Sequence, residues 1–358
     1  MFFTGLGTAT PPRRYTKAQC WSAFQASDWF ARLDRRSHAI AETILLRDNG
    51  ISTRHLALDS LADVFAIDPD TLQRRFTAHA PALGTEAAIG AMRDAHTGPE
   101  EIDAIVVSTC TGYLCPGLTS YLAERLGLRA DILTFDLVGQ GCGAAMPNLG
   151  LAHALITAAA GHHVLSVCVE VSSAAMYLDN DPGVLVSACL FGDGAGAAVL
   201  SARPPKHKRL VEWHSSSSVL EPRQRDALRF EQRGGMLRNI LTRPVPNLAA
   251  DHARIVLEAG LARAGLKPTD MAAWIMHAGG RDVLEALREA IGLSSDDLRY
   301  SARILDEYGN MSSAFIYFVL QSALEDSAPD GWWWMSAFGA GFACHGALLA
   351  VGAHRGSS

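Results

Sequence analysis

A cysteine framed by glycines, a histidine closing an apolar stretch and an asparagine just ahead of a helical one are the residues of this chain best placed for chemistry: Cys142, His277 and Asn310. Cys142 lies in VGQGCGAAMPNLG, where Gly141 and Gly143 permit a sharp strand-to-helix turn and close approach by a substrate. A thiol at a helix N-terminus feels the positive end of the dipole. With an imidazolium nearby, its pKa falls from about 8.5 to roughly 3.5–7.5, which predicts a standing thiolate at neutral pH. His277 sits in WIMHAGGRDVL, where an apolar strand runs into two glycines and a helix start, so its ring is expected to face a cleft. Asn310, in LDEYGNMSSAF, can serve as a helix N-cap or donate its amide to a developing oxyanion. Thiol, imidazole and amide together suit catalysis by a cysteine nucleophile, with a cysteine hydrolase among the alternatives.

The remaining candidates have blander readings. Cys168 and Cys189 fall inside apolar runs and read as packing residues. His96, His162, His163 and His207 read as structural histidines, and Glu170, closing an apolar strand, as a buried hydrogen-bonding group. Trp332, Trp333 and Trp334 alternate faces in a predicted strand and suit core and interface packing.

The elements that must position the three residues form two similar series. The first 80 or so residues hold mixed amphipathic pieces, among them SLADVFAIDPDTLQRRFTAH, and read as a helical cap. From Thr85 the order is helix TEAAIGAMRDAH, strand IDAIVVSTC, helix PGLTSYLAERLGL, strand ILTFDLVG, a long helix opened by Cys142, and strands HVLSVCVEVSS and AGAAVLS. A polar stretch, roughly Ala202 to Arg238, interrupts it. A second series follows: helix DHARIVLEAGLARAG, strand AAWIMHAG, helix RDVLEALREAIGL, a short extended piece LRYSAR, a helix opened by Asn310, and strands GWWWMSAFG and FACHGALLAVG. Alternation of this kind predicts an α/β fold with a largely parallel, buried sheet. The repeat predicts a duplicated unit, with residues 1–205 carrying the cap and Cys142 and residues 206–358 carrying His277 and Asn310. If the halves pack about a pseudo-twofold axis, the two helix starts and the strand end converge on one site.

Composition narrows the class. A formal net charge of -6, from 37 acidic and 31 basic residues without a long Lys or Arg run, argues against nucleic acid. The start MFFTGLGTATPP reads as a strand and turn rather than a signal peptide, and no apolar stretch reaches the ~20 residues of a bilayer span. Seven cysteines without zinc-ligand spacing are expected to be free thiols in the cytoplasm, with no metal site.

Five segments, QGC at Cys142, ACLFGDGAGAAVL, WIMHAGG, EYGNMSSA and SAFGAGFACHGALL, resemble in order and spacing the type III polyketide synthases, chalcone synthase and its bacterial relatives, from about Gly50 onward. FGDGAGA is shared with ketoacyl synthases of the type III fatty-acid class, whereas HAGG and GNMSS stand where those enzymes tend to place HQAN and GNTSA. The resemblance implies a thiolase-like fold of duplicated halves in αβαβα layers, a homodimer, and malonyl-CoA with an acyl-CoA starter, which can be malonyl-CoA itself, as the small-molecule partners. It implies that Cys142 carries the acyl chain while His277 and Asn310 stabilise the enolate of decarboxylating malonyl-CoA. Iterative extension and cyclisation to an aromatic or pyrone product follow, with no metal or redox cofactor. It also implies that Thr109, Cys110, Thr111, Ser312, Gly339 and Gly341 line the cavity, that Phe191 gates it, and that a second gate, usually aromatic, falls at Asn239. The family turn GFGPG has Ala340 in place of proline, and Arg47 and Arg54 are the basic residues nearest the expected CoA phosphates. A single condensation of the ketoacyl synthase kind and a Cys-His-Asn acyltransferase or thioester hydrolase are the alternatives.

Overall fold

The alternating strands and helices of both series assemble around one nine-stranded sheet in the computed structural model, which describes residues 1–206 and 208–352. His207, read above as structural, and residues 353–358 lie outside the described residues. Across the sheet the order is Met271–Met276, Gly331–Gly339, Ala343–Gly352, Leu210–Leu220, Phe2–Ala9, Gly194–Ser201, His163–Glu170, Ala104–Ser108 and Leu133–Leu137. Counted outward from the centre, the second half repeats the first but stops one strand short. The halves' strands meet through a single pair, Phe2 with Glu212.

The sheet is parallel only toward its two ends and antiparallel in the middle, which corrects the expectation of a largely parallel sheet. The last strand of each series runs antiparallel to its predecessor, and in the second series it turns straight back on it. A link as short as Ala340 to Phe342 leaves no room for a crossover, so Gly331–Gly339 and Ala343–Gly352 can pair only antiparallel. The missing ninth-strand counterpart is LRYSAR, expected as extended and found within the helix Arg299–Tyr308 and its approach. Its buried Tyr300, Ser301, Ile304 and Leu305 recur at helical spacing, and Ser301 Oγ donates to the carbonyl of Met276 at 2.7 Å.

Helices complete αβαβα layers. Pro69–Ala95 packs on the first half's strands and Val245–Ala264 on the second half's, while Ala145–Thr157 and Phe315–Glu325, the helices after Cys142 and Asn310, each contact strands of both halves. Pro69–Ala95 runs unbroken through Pro81 and Gly84, fusing the cap piece with TEAAIGAMRDAH. Its buried face, Leu72, Phe76, Ala80, Leu83, Ala87 and Ala91, keeps helical spacing across the proline, so packing outweighs the local breaker. The polar stretch after Ala202 is likewise not an interruption: it holds the long strand Leu210–Leu220, whose Ser215–Ser218 run pairs with Leu348 to His345, and a hairpin of Leu228–Arg233 with Met236–Leu241. The cap itself is three short helices, Lys17–Gln25, Asp28–Arg32 and Arg35–Leu46. Among the described residues no helix is long and apolar enough to cross a membrane.

Candidate active site

Cys142 sits in a single tight turn, Gly141–Gly143, between the strand Leu133–Leu137 and the helix Ala145–Thr157. Gly141 has φ +57°, a left-handed conformation open to glycine at little cost. The loop of Gly339 to Gly341 lies directly on this turn: a Cβ at Gly339 would stand 2.3 Å from the carbonyl oxygen of Gln140. Glycine is therefore needed there for close approach, while Ala340, in place of the family proline, abuts Gly141 and is accommodated. His277 continues the strand Met271–Met276, donating its main-chain N–H to Ser336 at 2.9 Å, and is 2% exposed. Asn310 follows the helix Arg299–Tyr308. Its main chain bridges the Phe191 segment, donating to Leu190 and accepting from Gly192, both at 3.0 Å.

Side-chain bonds tie the three positions together. Asn310 Nδ2 donates to the carbonyl of Gly279, two residues after His277, at 2.9 Å, and Asn310 Oδ1 accepts from Ser312 N at 2.8 Å. Ser312 Oγ in turn donates to Cys142 Sγ at 3.3 Å. Asn310 Oδ1 thus takes up the first N–H of the turn Ser312–Ala314, whose N-cap is Met311, just ahead of the helix Phe315–Glu325, and one amide N–H of Asn310 is left for a ligand. The His277 ring stands 5.2 Å from each of the Phe315 and Phe338 rings, and neither of its nitrogens has a partner among the described residues.

The free site differs from the thiolate–imidazolium pair expected from the sequence. Burial pushes the Cys142 thiol up to about 12, aided by the Glu170 carboxylate and opposed by the Ser312 hydroxyl. Burial pulls His277 down to about 3. Desolvation of the charged forms outweighs the dipole of the short turn, so a neutral thiol and a neutral imidazole are at rest here.

Glu170 is the group that sequence reasoning undervalued. Fully buried, it accepts from Cys110 N at 3.0 Å, Thr111 Oγ1 at 2.9 Å and Thr109 Oγ1 at 3.3 Å, and also from Cys110 Sγ and Ser313 Oγ. Burial raises its carboxyl above the usual range against these bonds. Cys110 Sγ lies 3.2 Å from Ser312 Oγ, so Thr109, Cys110, Thr111 and Ser312 do gather beside Cys142. The signal was available in the carboxylate closing an apolar strand, though nothing showed that STCTG would reach it.

Thr109, Cys110, Thr111, Gly141, Ala340 and Gly341 share the wall of a cavity of about 450 Å³ with the residues Pro69–Phe76 side of the long helix and the hairpin. Phe191 and Asn239 border a separate, smaller cavity. Arg54 is a correction: its guanidinium is buried and donates to the carbonyls of Ala188 and Phe191, at 2.9 and 3.2 Å, so it anchors the Phe191 segment and is closed to a phosphate. Arg47 is exposed at the end of Arg35–Leu46. Cys168 and Cys189 are buried, their thiols pushed up to about 12 and about 11, in keeping with a packing role.

Two family sequence models cover the chain: that described as FAE1/Type III polyketide synthase-like protein matches residues 24–214, and that of the chalcone and stilbene synthases, C-terminal domain, matches residues 212–352. The chain is 30% identical over 351 residues to a 1,3,6,8-tetrahydroxynaphthalene synthase of Streptomyces peucetius subsp. caesius, covering 96% of this chain and 91% of that one. It is 28% identical over 331 residues to a 3,5-dihydroxyphenylacetyl-CoA synthase of Streptomyces toyocaensis, covering 90% and 82%. Among solved structures, the 1,3,6,8-tetrahydroxynaphthalene synthase of Streptomyces coelicolor superposes with a TM-score of 0.89 at 22% identity, over 99% of this chain and 100% of that one. PKS-I of the brown alga Ectocarpus siliculosus gives 0.87 at 24%, over 97% of both.

Proposed function

Because this chain belongs to the type III polyketide synthases, we propose that Cys142, His277 and Asn310 carry out its decarboxylative condensations, with malonyl-CoA as extender. The carrying observation is the unbroken link from Asn310 through Ser312 to Cys142, with one Asn310 N–H and both His277 nitrogens left without partners among the described residues. The starter thioester is attacked by Cys142 sulfur while its proton passes to the neutral His277 imidazole; the C–S bond to CoA breaks, and the CoA thiolate leaves with that proton. Malonyl-CoA then binds. Loss of CO2 leaves its electron pair as an enolate, whose oxygen accepts hydrogen bonds from His277 and Asn310. The carbanion attacks the Cys142 thioester, freeing the sulfur and leaving a chain two carbons longer on CoA. This chemistry needs no metal or redox cofactor.

The cavity of about 450 Å³ beside the Cys142 turn gives room for repeated extension. Two relatives named for making small polyhydroxylated aromatics support an aromatic product. A homodimer is supported by the edge strand Leu133–Leu137, which is mostly exposed and unpaired on its outer side, and by Val138 and Tyr113, 59% and 69% exposed. Both also line the cavity, so a second copy added to this edge closes it. We place the protein in the cytoplasm, where its free thiols stay reduced.

Incubation of the purified chain with radiolabelled malonyl-CoA, with and without acyl-CoA starters, tests the reading. Labelled aromatic or pyrone products that vanish in Cys142→Ala are expected. Untouched malonyl-CoA alongside hydrolysis of simple thioesters would replace it with a hydrolase.

A further inference from the structure

The hairpin of Leu228–Arg233 with Met236–Leu241 stands apart from the nine-stranded sheet and gives the cavity of about 450 Å³ one of its walls, through Leu228, Phe230, Gln232, Met236 and Leu237. A two-stranded hairpin is marginal on its own, so the position of that wall depends on what fastens it. Arg238, in the second strand, is the fastening. Its side chain is 8% exposed and donates to three carboxylates: Asp179 at 2.8 Å, Asp181 at 3.1 Å and Glu231, directly opposite on the paired strand, at 2.8 Å. The guanidinium also lies 6.0 Å from the centre of the Tyr177 ring.

The segment that Arg238 grips is itself held on two sides. Asn180 Oδ1 accepts from Asp34 N at 2.9 Å and from Ser37 Oγ at 2.7 Å, which ties the segment to the cap. Asp181 Oδ1 accepts from Gly183 N at 2.8 Å and so caps the helix Pro182–Leu190, which leads to Phe191 and its bridge to Asn310. The end of the hairpin lies directly on the start of this helix, where a Cβ at Gly183 would stand 2.3 Å from the carbonyl oxygen of Leu241. Removing the guanidinium does more than cut bonds. It leaves Glu231 on the hairpin facing Asp179 and Asp181 on the body, and like charges that Arg238 held together then push the wall outward.

Resting on the polyketide synthase reading, we infer that Arg238 is a positioning residue for product length: it holds the hairpin wall in place so that the growing acyl chain stays in the cavity for its later extensions. Its bonds go to Asp179, Asp181 and Glu231 and to none of Cys142, His277 and Asn310, so it acts through the hairpin alone. The first condensation needs little room, while each later one adds two carbons that must fold against a wall. A yielding wall favours early release. In that step an enol oxygen of the intermediate attacks its own thioester carbonyl, the C–S bond breaks, and the thiol leaves with the enol proton, giving a short lactone.

The test gives wild type and Arg238→Met labelled malonyl-CoA and reads the ratio of short lactones to longer products by chromatography. That ratio does not depend on how much of the protein is folded, so a merely structural defect leaves it unmoved. Arg238→Met is expected to raise it about tenfold, and Arg238→Lys, which keeps a cation among the three carboxylates, to return it most of the way to the wild-type value. Trypsin supplies a readout without activity: nicking after Arg233, whose side chain is 63% exposed at the hairpin tip, should quicken about tenfold in Arg238→Met and far less in Arg238→Lys. If Arg238→Met does not fold, Asp179→Asn, which leaves Arg238 two of its partners, should show a smaller shift of the same sign. An unchanged ratio, a shift toward longer products, nicking no faster than in wild type, or lysine behaving as methionine overturns the role. Failure of wild type to consume malonyl-CoA sinks the synthase reading and the product-length role with it, while the nicking rates still report the clamp and tell the two failures apart.

Discussion

The side chains that bond Glu170, those of Thr109, Cys110, Thr111 and Ser313, are all partnered, whereas neither ring nitrogen of His277, across the same site, has a partner among the described residues, and its ring is flanked by Phe315 and Phe338. The first region is saturated by Thr109, Cys110, Thr111 and Ser313 and keeps its geometry without help. The second pays for its readiness: an imidazole in an apolar cage gains nothing until a ligand supplies its hydrogen bonds. The thiol of Cys142 stands between them, bonded to the saturated side through Ser312. Fixed geometry and unspent hydrogen-bonding capacity are thus divided between two sides of one site.

The largest effect that would break this contrast is on stability in acid. His277 is held neutral by burial, at about 3 against an ordinary 6.5. Its contribution is complete above pH 6.5 and is lost as pH falls toward 3, because only the unfolded chain takes up the proton. The slope from this residue is about 1.4 kcal/mol per pH unit, on the order of 4 kcal/mol in all. Denaturant melts across this window should show His277→Phe with a shallower decline than wild type; parallel curves would mean that the ring is not sequestered.

Next in size is the loss of the oxyanion donor. Asn310→Asp keeps an oxygen for Ser312 N but removes Nδ2, and kcat for malonyl-CoA consumption is expected to fall about 10²–10³-fold, with folding judged unchanged by circular dichroism. A fall under about threefold would take Asn310 out of the chemistry. A smaller effect tests the thiol. With Cys142 pushed up to about 12, alkylation of the free chain by iodoacetamide should accelerate about tenfold per pH unit from 7 to 10, since only the thiolate reacts. A rate already flat at pH 7 would restore the standing thiolate expected from the helix dipole.

That last contrast shows how far the sequence reaches. Glycine flanks located the Cys142 turn, a strand running into Ala278, Gly279 and Gly280 located His277, and the repeated order of elements paired the halves. These are local signals. Burial is not local: the dipole argument for Cys142 was sound as far as it went, but the desolvation that reverses it comes from elements far away in the chain. The same holds for Pro69–Ala95, where two breakers, Pro81 and Gly84, lost to a buried face, and for Leu210–Leu220, whose serines read as part of a polar interruption until a neighbouring strand gave their backbone a partner. Arg54 was misread for the same reason, since nothing in ISTRHL shows that its side chain turns inward to two carbonyls.

The mildest prediction concerns Glu170, and it separates shape from charge. Its two oxygens are not equivalent: Oε2 accepts from the Cys110 amide, a donor with no alternative role, while Oε1 accepts from the hydroxyl of Ser313 and the thiol of Cys110, which can reverse and accept instead. In Glu170→Gln the amide oxygen can take the Oε2 place and the NH2 group can donate to Ser313, so every group stays satisfied. Burial already raises the Glu170 carboxyl and favours its uncharged form, which the amide imitates. A loss of no more than about 1 kcal/mol is expected for this change, whereas Glu170→Ala strands the Cys110 N–H and empties the hub, at about 3 kcal/mol or more. Thermal melts of the two variants at pH 7 decide the matter: if glutamine is as damaging as alanine, it is the negative charge, and not the set of acceptors, that holds Thr109, Cys110 and Thr111 against Cys142.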